Sequence, residues 1–176
     1  MQTARASDLQ PAISLLEKTP SLLETLLGDM PGELSQWKPA ADRWSISEIL
    51  AHLADLEQLY SERVRRILAE DAPALRSYDQ NVASAAGVYS GGSAPEHLAS
   101  FMALRRATVS LLKSAGSSVG ERTGNHPELG IVTLSQMLNE LASHDLGHLC
   151  QIAELYRAHA FHPYAGPFQK YLNPKP

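Results

Sequence analysis

The residues of this chain that could do chemistry are concentrated in one late segment, LNELASHDLGHLCQIAELYR. Its two histidines, His144 and His148, are four residues apart, so on a helix they lie one above the other on a single face. Helical geometry puts them on the same stripe as a set of apolar residues, Met137, Leu141, Ile152 and Leu155. Two imidazoles one turn apart that point into a bundle can hold a metal ion between them. The alternative is a pair of core histidines bonded to protein groups, since an unpartnered buried imidazole costs about 1–3 kcal/mol.

The residues around this pair exclude two familiar metal motifs. His144 is followed by Asp145 rather than by glutamate, so the H-E-x-x-H pattern of metalloproteases is absent. The Glu-x-x-His motif of di-iron bundles occurs nowhere in the chain. Asp145 itself projects about 100° away from His144, and we expect it to make a structural hydrogen bond elsewhere in the bundle.

A third ligand is needed, and His52 in the segment WSISEILAHLADLE is the candidate. Three histidines from two facing helices would leave a coordination position free for water or substrate, which is the catalytic arrangement rather than the closed structural one. The alternative is a core-edge histidine bonded to Asp55 or Glu48, each about one turn away. Cys150 points away from the face of His144 by helical geometry, and we expect an inert buried thiol or an interface residue.

Three polar residues are candidates for orienting the histidines, although no catalytic residue can be assigned. Gln151 follows His148 by three residues and could bond a water or an imidazole N–H; its alternative is a solvent-facing position at the bundle mouth. Glu48 and Asp55 bracket His52 and could orient it, as metal-bound imidazoles commonly require. For Glu48, helix capping is an equally good interpretation.

The remaining candidates have weaker claims. For the four other histidines, we expect surface or capping roles rather than metal binding; these are His97, His126, His159 and His162. Tyr78 and Tyr89 could shape a substrate pocket at the mouth formed by the 71–94 loop. Three arginines are possible partners for an anionic group if they face the site, namely Arg63, Arg105 and Arg106.

Four stretches with helical periodicity must position these side chains. The first covers about residues 11–30, with a break or kink near Thr19 because Pro20 starts a new helical segment. The second starts after Ser45, which forms a capping box with Glu48, and closes before Pro73. The third covers about residues 93–114, and the fourth runs from Thr133 to about residue 159. Residues 31–44, 71–94 and 115–133 are predicted loops, and the tail from residue 161 is irregular. These elements predict an all-α fold, a four-helix bundle with long connecting loops, formed as one domain over residues 1–176.

Composition restricts the class of protein. The chain has 176 residues, of which 44% are apolar, and a formal net charge of −4. That apolar content excludes intrinsic disorder, and the absence of excess positive charge argues against nucleic-acid binding. One cysteine excludes an internal disulfide and fits a reducing compartment. Because neither a targeting segment nor a long apolar run is visible, we expect a soluble, cytoplasmic protein without membrane contact.

Two motifs resemble those of a known family. WSISEILAHLADLE fits W-S-x-x-E-x-x-x-H-L-x-D, and HDLGHLCQIAELY fits H-D-x-x-H-L-x-Q-I. The pair, in this order, resembles the DinB-like (YfiT-type) superfamily of metal-binding four-helix bundles. The resemblance implies a divalent metal, zinc or nickel, bound by His52, His144 and His148, often within a homodimer. Members with known activity include metal-dependent S-transferases that use a low-molecular-weight thiol and a thiol-dependent isomerase, while many others are called metal-dependent hydrolases.

The resemblance and the histidine pattern lead to one functional expectation and two alternatives. We expect a metal-dependent enzyme, a thiol S-transferase or a hydrolase, in which the metal activates a thiol or water toward a small-molecule substrate. The first alternative is a non-catalytic, metal-stabilised protein of stress response or binding, in which the metal contributes folding energy. The second is a metal-free bundle whose histidines are ordinary core residues.

Overall fold

A computed structural model describes residues 8–176 of the chain. These residues form six α-helices, α1 (Gln10–Leu27), α2 (Gly32–Gln36), α3 (Ile46–Ala69), α4 (Gln80–Ala85), α5 (Ala94–Ala115) and α6 (Leu134–Tyr156). Strands β1 (Thr123–His126) and β2 (Gly130–Thr133) form one antiparallel hairpin. A π-helical turn, Arg157–Phe161, extends α6, and three 3₁₀ turns are Ser117–Glu121, His162–Tyr164 and Gly166–Tyr171. No helix within residues 8–176 combines the length and apolarity needed to cross a bilayer.

The four long helices α1, α3, α5 and α6 pack into one bundle, which confirms the predicted all-α fold. α3 lies along α5, and α1 packs against both α5 and α6. Capping boxes start three of the helices: Ser45 with Glu48, Ser93 with Glu96, and Thr133 with Gln136. Two groups of buried apolar side chains fill the interior, and His52 sits between them, since Leu53 belongs to one group and Leu56 to the other.

The connection between α5 and α6 contains the one sheet seen in the described residues, where the sequence predicted a loop. Its strands pair from Thr123 with Thr133 to His126 with Gly130. Asn125 also exchanges two backbone hydrogen bonds with the segment after α3, through Pro73 and Leu75. Each strand has only four residues, one of them glycine, which is too short to show the alternation of a strand. The hydrophobic pattern of the sequence could therefore not reveal the hairpin.

Helix α1 passes through Pro20 without a break, so the predicted new helical segment at that residue is wrong. Proline has no amide hydrogen to donate to the carbonyl four residues earlier, here that of Leu16. The guanidinium of Arg105 on α5 supplies the missing donor, with Nη1 3.2 Å from the Leu16 oxygen. A tertiary hydrogen bond therefore replaces the helical one, and the helix continues.

Arg105 is the centre of a buried ion cluster that joins all four long helices. Its Nε donates to Glu57 Oε2 at 2.7 Å, while Nη1 and Nη2 donate to the two carboxylate oxygens of Asp145 at 2.5 and 3.1 Å. All three side chains are at most 1% exposed. Asp145 thus makes the structural bond expected of it, whereas Arg105 lies in the core and lines neither cavity beside the histidines. Burial raises the pKa of Glu57; for Arg105, the bonds to both carboxylates outweigh burial and raise its pKa.

Replacing Arg105 by methionine should destabilise the bundle by about 3–5 kcal/mol, because two carboxylates and the Leu16 carbonyl would stay buried without their donor. Urea unfolding of the purified variant measures this loss. Arg106→Met is the matched control, since Arg106 follows it on α5 and is exposed. A loss for Arg105→Met as small as that of the control would show that the cluster does not hold the helices together.

Candidate metal centre

The bundle brings His52, His144 and His148 together. His52 projects from the N-terminal third of α3 and is fully buried, and the other two project one turn apart from α6 and are half-buried. The Nε2 atom of His144 lies 3.1 Å from Nε2 of His52 and 3.1 Å from Nε2 of His148. One ring nitrogen of each residue lies within 4.8 Å of the others.

The three imidazoles are arranged better for binding one divalent metal ion than for hydrogen bonding to one another. A neutral imidazole carries one proton on its two nitrogens, so each contact between Nε2 atoms needs one donor and one acceptor. Bonds of about 2.0–2.1 Å from three imidazoles to one tetrahedral ion separate the nitrogens by roughly 3.3–3.4 Å, close to the observed spacing. Among the described residues, the cluster contains no cysteine or carboxylate ligand. The arrangement is therefore an open three-histidine set, not a closed four-ligand one.

Gln151 orients His148. Its Oε1 lies 2.9 Å from His148 Nδ1, and because an amide oxygen only accepts, Nδ1 carries the proton. The lone pair of the ring is then on Nε2, the atom that faces the other two histidines. Of the two roles considered for Gln151, the structure shows the bond to an imidazole nitrogen.

Tyr78 and Tyr89 orient His52 and connect it to Asp55. Both hydroxyl groups lie 3.3 Å from His52 Nδ1 and 2.6 Å from each other, and the Tyr78 hydroxyl donates to Asp55 Oδ2 at 3.0 Å. With Tyr78 donating to Asp55, its oxygen is free to accept, and Nδ1–H of His52 has hydroxyl oxygens to donate to. Asp55 therefore acts on His52 through a tyrosine rather than directly. Tyr78 follows Asp55 by 23 residues and lies in a segment without helical periodicity. Helix spacing alone could therefore not identify it as the link between Asp55 and His52.

Glu48 serves the start of α3 instead of His52. Its two oxygens accept from the Ser45 amide at 2.8 Å and from Lys38 Nζ at 2.6 Å, the capping alternative. Burial opposes ionisation, but these bonds keep the pKa of Glu48 below its usual value. Cys150 is exposed, so the buried thiol is wrong, while the other alternative, an interface residue, stays a prediction.

Two cavities open on the histidines. One of about 340 Å³ is lined by His52 and His144 and has mostly apolar walls, including Leu56, Leu59 and Met137. The other, of about 390 Å³, is lined by polar residues of the loop before α3 and by His144, His148 and Gln151. The Trp44 ring stands at this second opening, 5.0 Å from the His52 ring and stacked over that of His148 at 6.3 Å. His144 borders both cavities, so small molecules have two approaches to the cluster.

Burial keeps the imidazoles neutral. It lowers the pKa of His52 to about 3 and that of His148 to about 4, with a further contribution from the neighbouring imidazoles, and it lowers the pKa of His144 as well. Neutral imidazole is the form that binds metals. When the pH falls below about 6.5, these histidines bind protons in the unfolded chain but not in the folded one, so acid favours unfolding.

The free energy of unfolding of chelator-treated protein should therefore fall between pH 6 and pH 4. His52 alone contributes about 1.4 kcal/mol per pH unit, because one proton binds only to the unfolded chain. Urea unfolding across this range, compared with His52→Gln, isolates the contribution, since all other titrating groups are shared. Equal pH slopes for the two proteins would contradict the low pKa of His52.

Comparison with known proteins identifies the family of this chain. The family model described as the DinB superfamily matches residues 15–152. The protein named "Putative metal-dependent hydrolase OB0782" of Oceanobacillus iheyensis is 27% identical over 144 residues, which is 81% of this chain and 83% of the relative. "Putative metal-dependent hydrolase YfiT" of Bacillus subtilis is 26% identical over 146 residues, 82% of each chain.

A solved structure shares the fold. YfiT from Bacillus subtilis, described as "a probable metal-dependent hydrolase with an unusual four-helix bundle topology", superposes with a TM-score of 0.76 at 25% identity. The match covers 85% of this chain and 86% of that one. Since the family model spans well over half of the sequence and the resemblance seen in the two histidine motifs is confirmed, the chain belongs to the DinB superfamily.

Proposed function

We propose that this protein is a metal-dependent enzyme acting on small molecules, with a divalent ion held by His52, His144 and His148. The observation that carries the proposal is the convergence of three Nε2 atoms beside open cavities. Both relatives are named for metal-dependent hydrolysis, which supports the same class of reaction. Imidazole ligands suit zinc and nickel, and these are the ions we propose.

A divalent ion in such a site supplies a Lewis acid that lowers the pKa of a water or thiol toward neutrality. The chain's own residues prepare the site for it. Gln151 and the two tyrosines, Tyr78 and Tyr89, hold the rings of His148 and His52 with Nε2 free to bind. Apolar side chains beside His52, including Leu56 and Leu59, lower the local dielectric constant, which strengthens electrostatic interactions there.

Two reactions fit this description, hydrolysis and transfer of a small thiol. Hydrolysis needs one organic substrate, and the 340 Å³ cavity provides for it. The second cavity, bounded by Trp44 and Arg43, favours a second organic substrate, which a thiol S-transferase requires. A non-catalytic, metal-stabilised protein is less well supported, because structural metal sites are closed by a fourth protein ligand.

His148→Ala should lose most of the bound metal, because two imidazoles from different helices remain in place of three. Elemental analysis of the purified wild type and variant measures metal per chain. Activity is followed on 4-nitrophenyl acetate for hydrolysis, and on 1-chloro-2,4-dinitrobenzene with cysteine for thiol transfer, and both should fall in the variant. Cys150→Ala is the control, since this exposed residue of the same helix is not part of the cluster.

Equal metal content in His148→Ala and wild type would overturn the proposal. Thermal unfolding with and without a chelator separates the catalytic from the structural interpretation. A large loss of stability on chelation, together with no turnover of either probe by the metal-loaded protein, would favour the metal-stabilised alternative.

A further inference from the structure

Arg63 is a buried guanidinium without an ion-pair partner in the described structure. It is 4% exposed, yet no carboxylate oxygen of residues 8–176 lies within 4.0 Å of its nitrogens. Its Nη2 donates to the backbone oxygen of Arg76 at 2.6 Å, but its Nε is buried without any partner. Arg105, the other buried arginine among the described residues, pairs with two carboxylates. The carboxylate of Glu140 attracts its charge, but that carboxylate accepts from the Tyr60 hydroxyl and forms no ion pair with Arg63. Since buried charges are normally paired directly, Arg63 retains donor capacity for a further anion.

The imidazole of His126 gives a second, independent indication. Its Nδ1 faces the backbone amide of Glu128 at 3.3 Å, and an amide only donates, so Nδ1 accepts and the proton is on Nε2. That Nε2–H faces the Nη2 group of Arg63 at 3.4 Å, which also only donates. Two donors that face each other cannot bond. An anion that accepts from both would satisfy them.

Arg63 and His126 both line the 340 Å³ cavity that contains His52 and His144. On α3, Arg63 follows His52 by eleven residues, three helical turns, so the two side chains share a face with Cα atoms about 16 Å apart. Between them the wall is apolar, with Leu56 and Leu59. The cavity therefore has an end where the donors of Arg63 and His126 lie near the Glu140 carboxylate, an apolar middle and a histidine end.

We propose that Arg63 and His126 bind the carboxylate of a small substrate whose apolar body lies along the cavity and whose reacting group reaches the histidine cluster. This names a substrate class for the function proposed above and rests on it. A monoanion fits better than a phosphate dianion, because the Glu140 carboxylate, bonded to the Tyr60 hydroxyl, also borders the cavity. The guanidinium carbon of Arg63 lies 5.4 Å from the centre of the Tyr60 ring, a cation–π contact.

The test uses 4-fluorobenzoate as the probe, followed by fluorine NMR titration of the purified full-length protein. We expect saturable binding to the wild type, and binding about tenfold weaker or more in Arg63→Gln, because a charge-assisted hydrogen bond is lost. The neutral isostere 4-fluorobenzamide should show no such difference. Arg65→Gln is the matched control, since Arg65 is exposed on the same helix and does not line the cavity.

His126→Leu provides a second test in case Arg63→Gln does not fold. This variant should also bind 4-fluorobenzoate more weakly than the wild type. His148→Ala separates this site from the metal, because a carboxylate bound to the ion would be lost in that variant. Retention of binding in His148→Ala, with loss in Arg63→Gln, is the expected pattern. The reverse pattern, no saturable binding to wild type, or undiminished binding in both Arg63→Gln and His126→Leu would each overturn the proposal. Absence of metal from the wild type would count against the proposed function alone.

Discussion

The buried ion cluster of Arg105, Glu57 and Asp145 is the constraint on which the rest of the structure depends. Three charged groups at most 1% exposed are tolerable only while each keeps its partners, so helices that carry them cannot rotate or slide independently. Glu57 follows His52 on α3, and Asp145 directly follows His144 on α6. Holding the two carboxylates on one guanidinium therefore also sets the directions in which both histidines point.

The same arginine explains how α1 joins the bundle. Pro20 leaves the Leu16 carbonyl without its helical donor, and Arg105 supplies one. A feature that weakens an isolated helix thus becomes a contact that fixes α1 against α5. One guanidinium satisfies acceptors on three other helices, which is possible because its nitrogens diverge in a planar fork.

At the histidine cluster, hydrogen bonds hold the rings of His52 and His148 before any ligand arrives. An amide oxygen on His148 and tyrosine hydroxyls on His52 occupy the Nδ1 atoms, and burial keeps the rings neutral. The Nε2 atoms of His52 and His148 both face Nε2 of His144, whose Nδ1 is buried without a hydrogen-bond partner. Ligand binding at such a site costs little free energy for ordering the imidazole side chains, since packing already holds the rings.

The two cavities at the histidine cluster differ in chemistry, and this difference follows from which elements form them. Faces of α3 and α6, which pack in the core, supply the apolar walls of the first. The loop before α3 supplies polar residues to the second. The hairpin adds His126 to the first cavity and places it beside Arg63, so a connecting segment completes the end furthest from the histidine cluster.

The amino-acid sequence by itself determined the four helices, the caps at Ser45 and Thr133, and the face shared by His144 and His148, because these depend on local periodicity. The family motifs added His52. Only the tertiary structure decided how Pro20 is accommodated, that Asp55 reaches His52 through Tyr78, and that His126 meets Arg63. Each of these contacts joins residues far apart in the chain or on different elements. Periodicity reports which side of an element is buried, but not which buried group stands opposite; packing alone settles that.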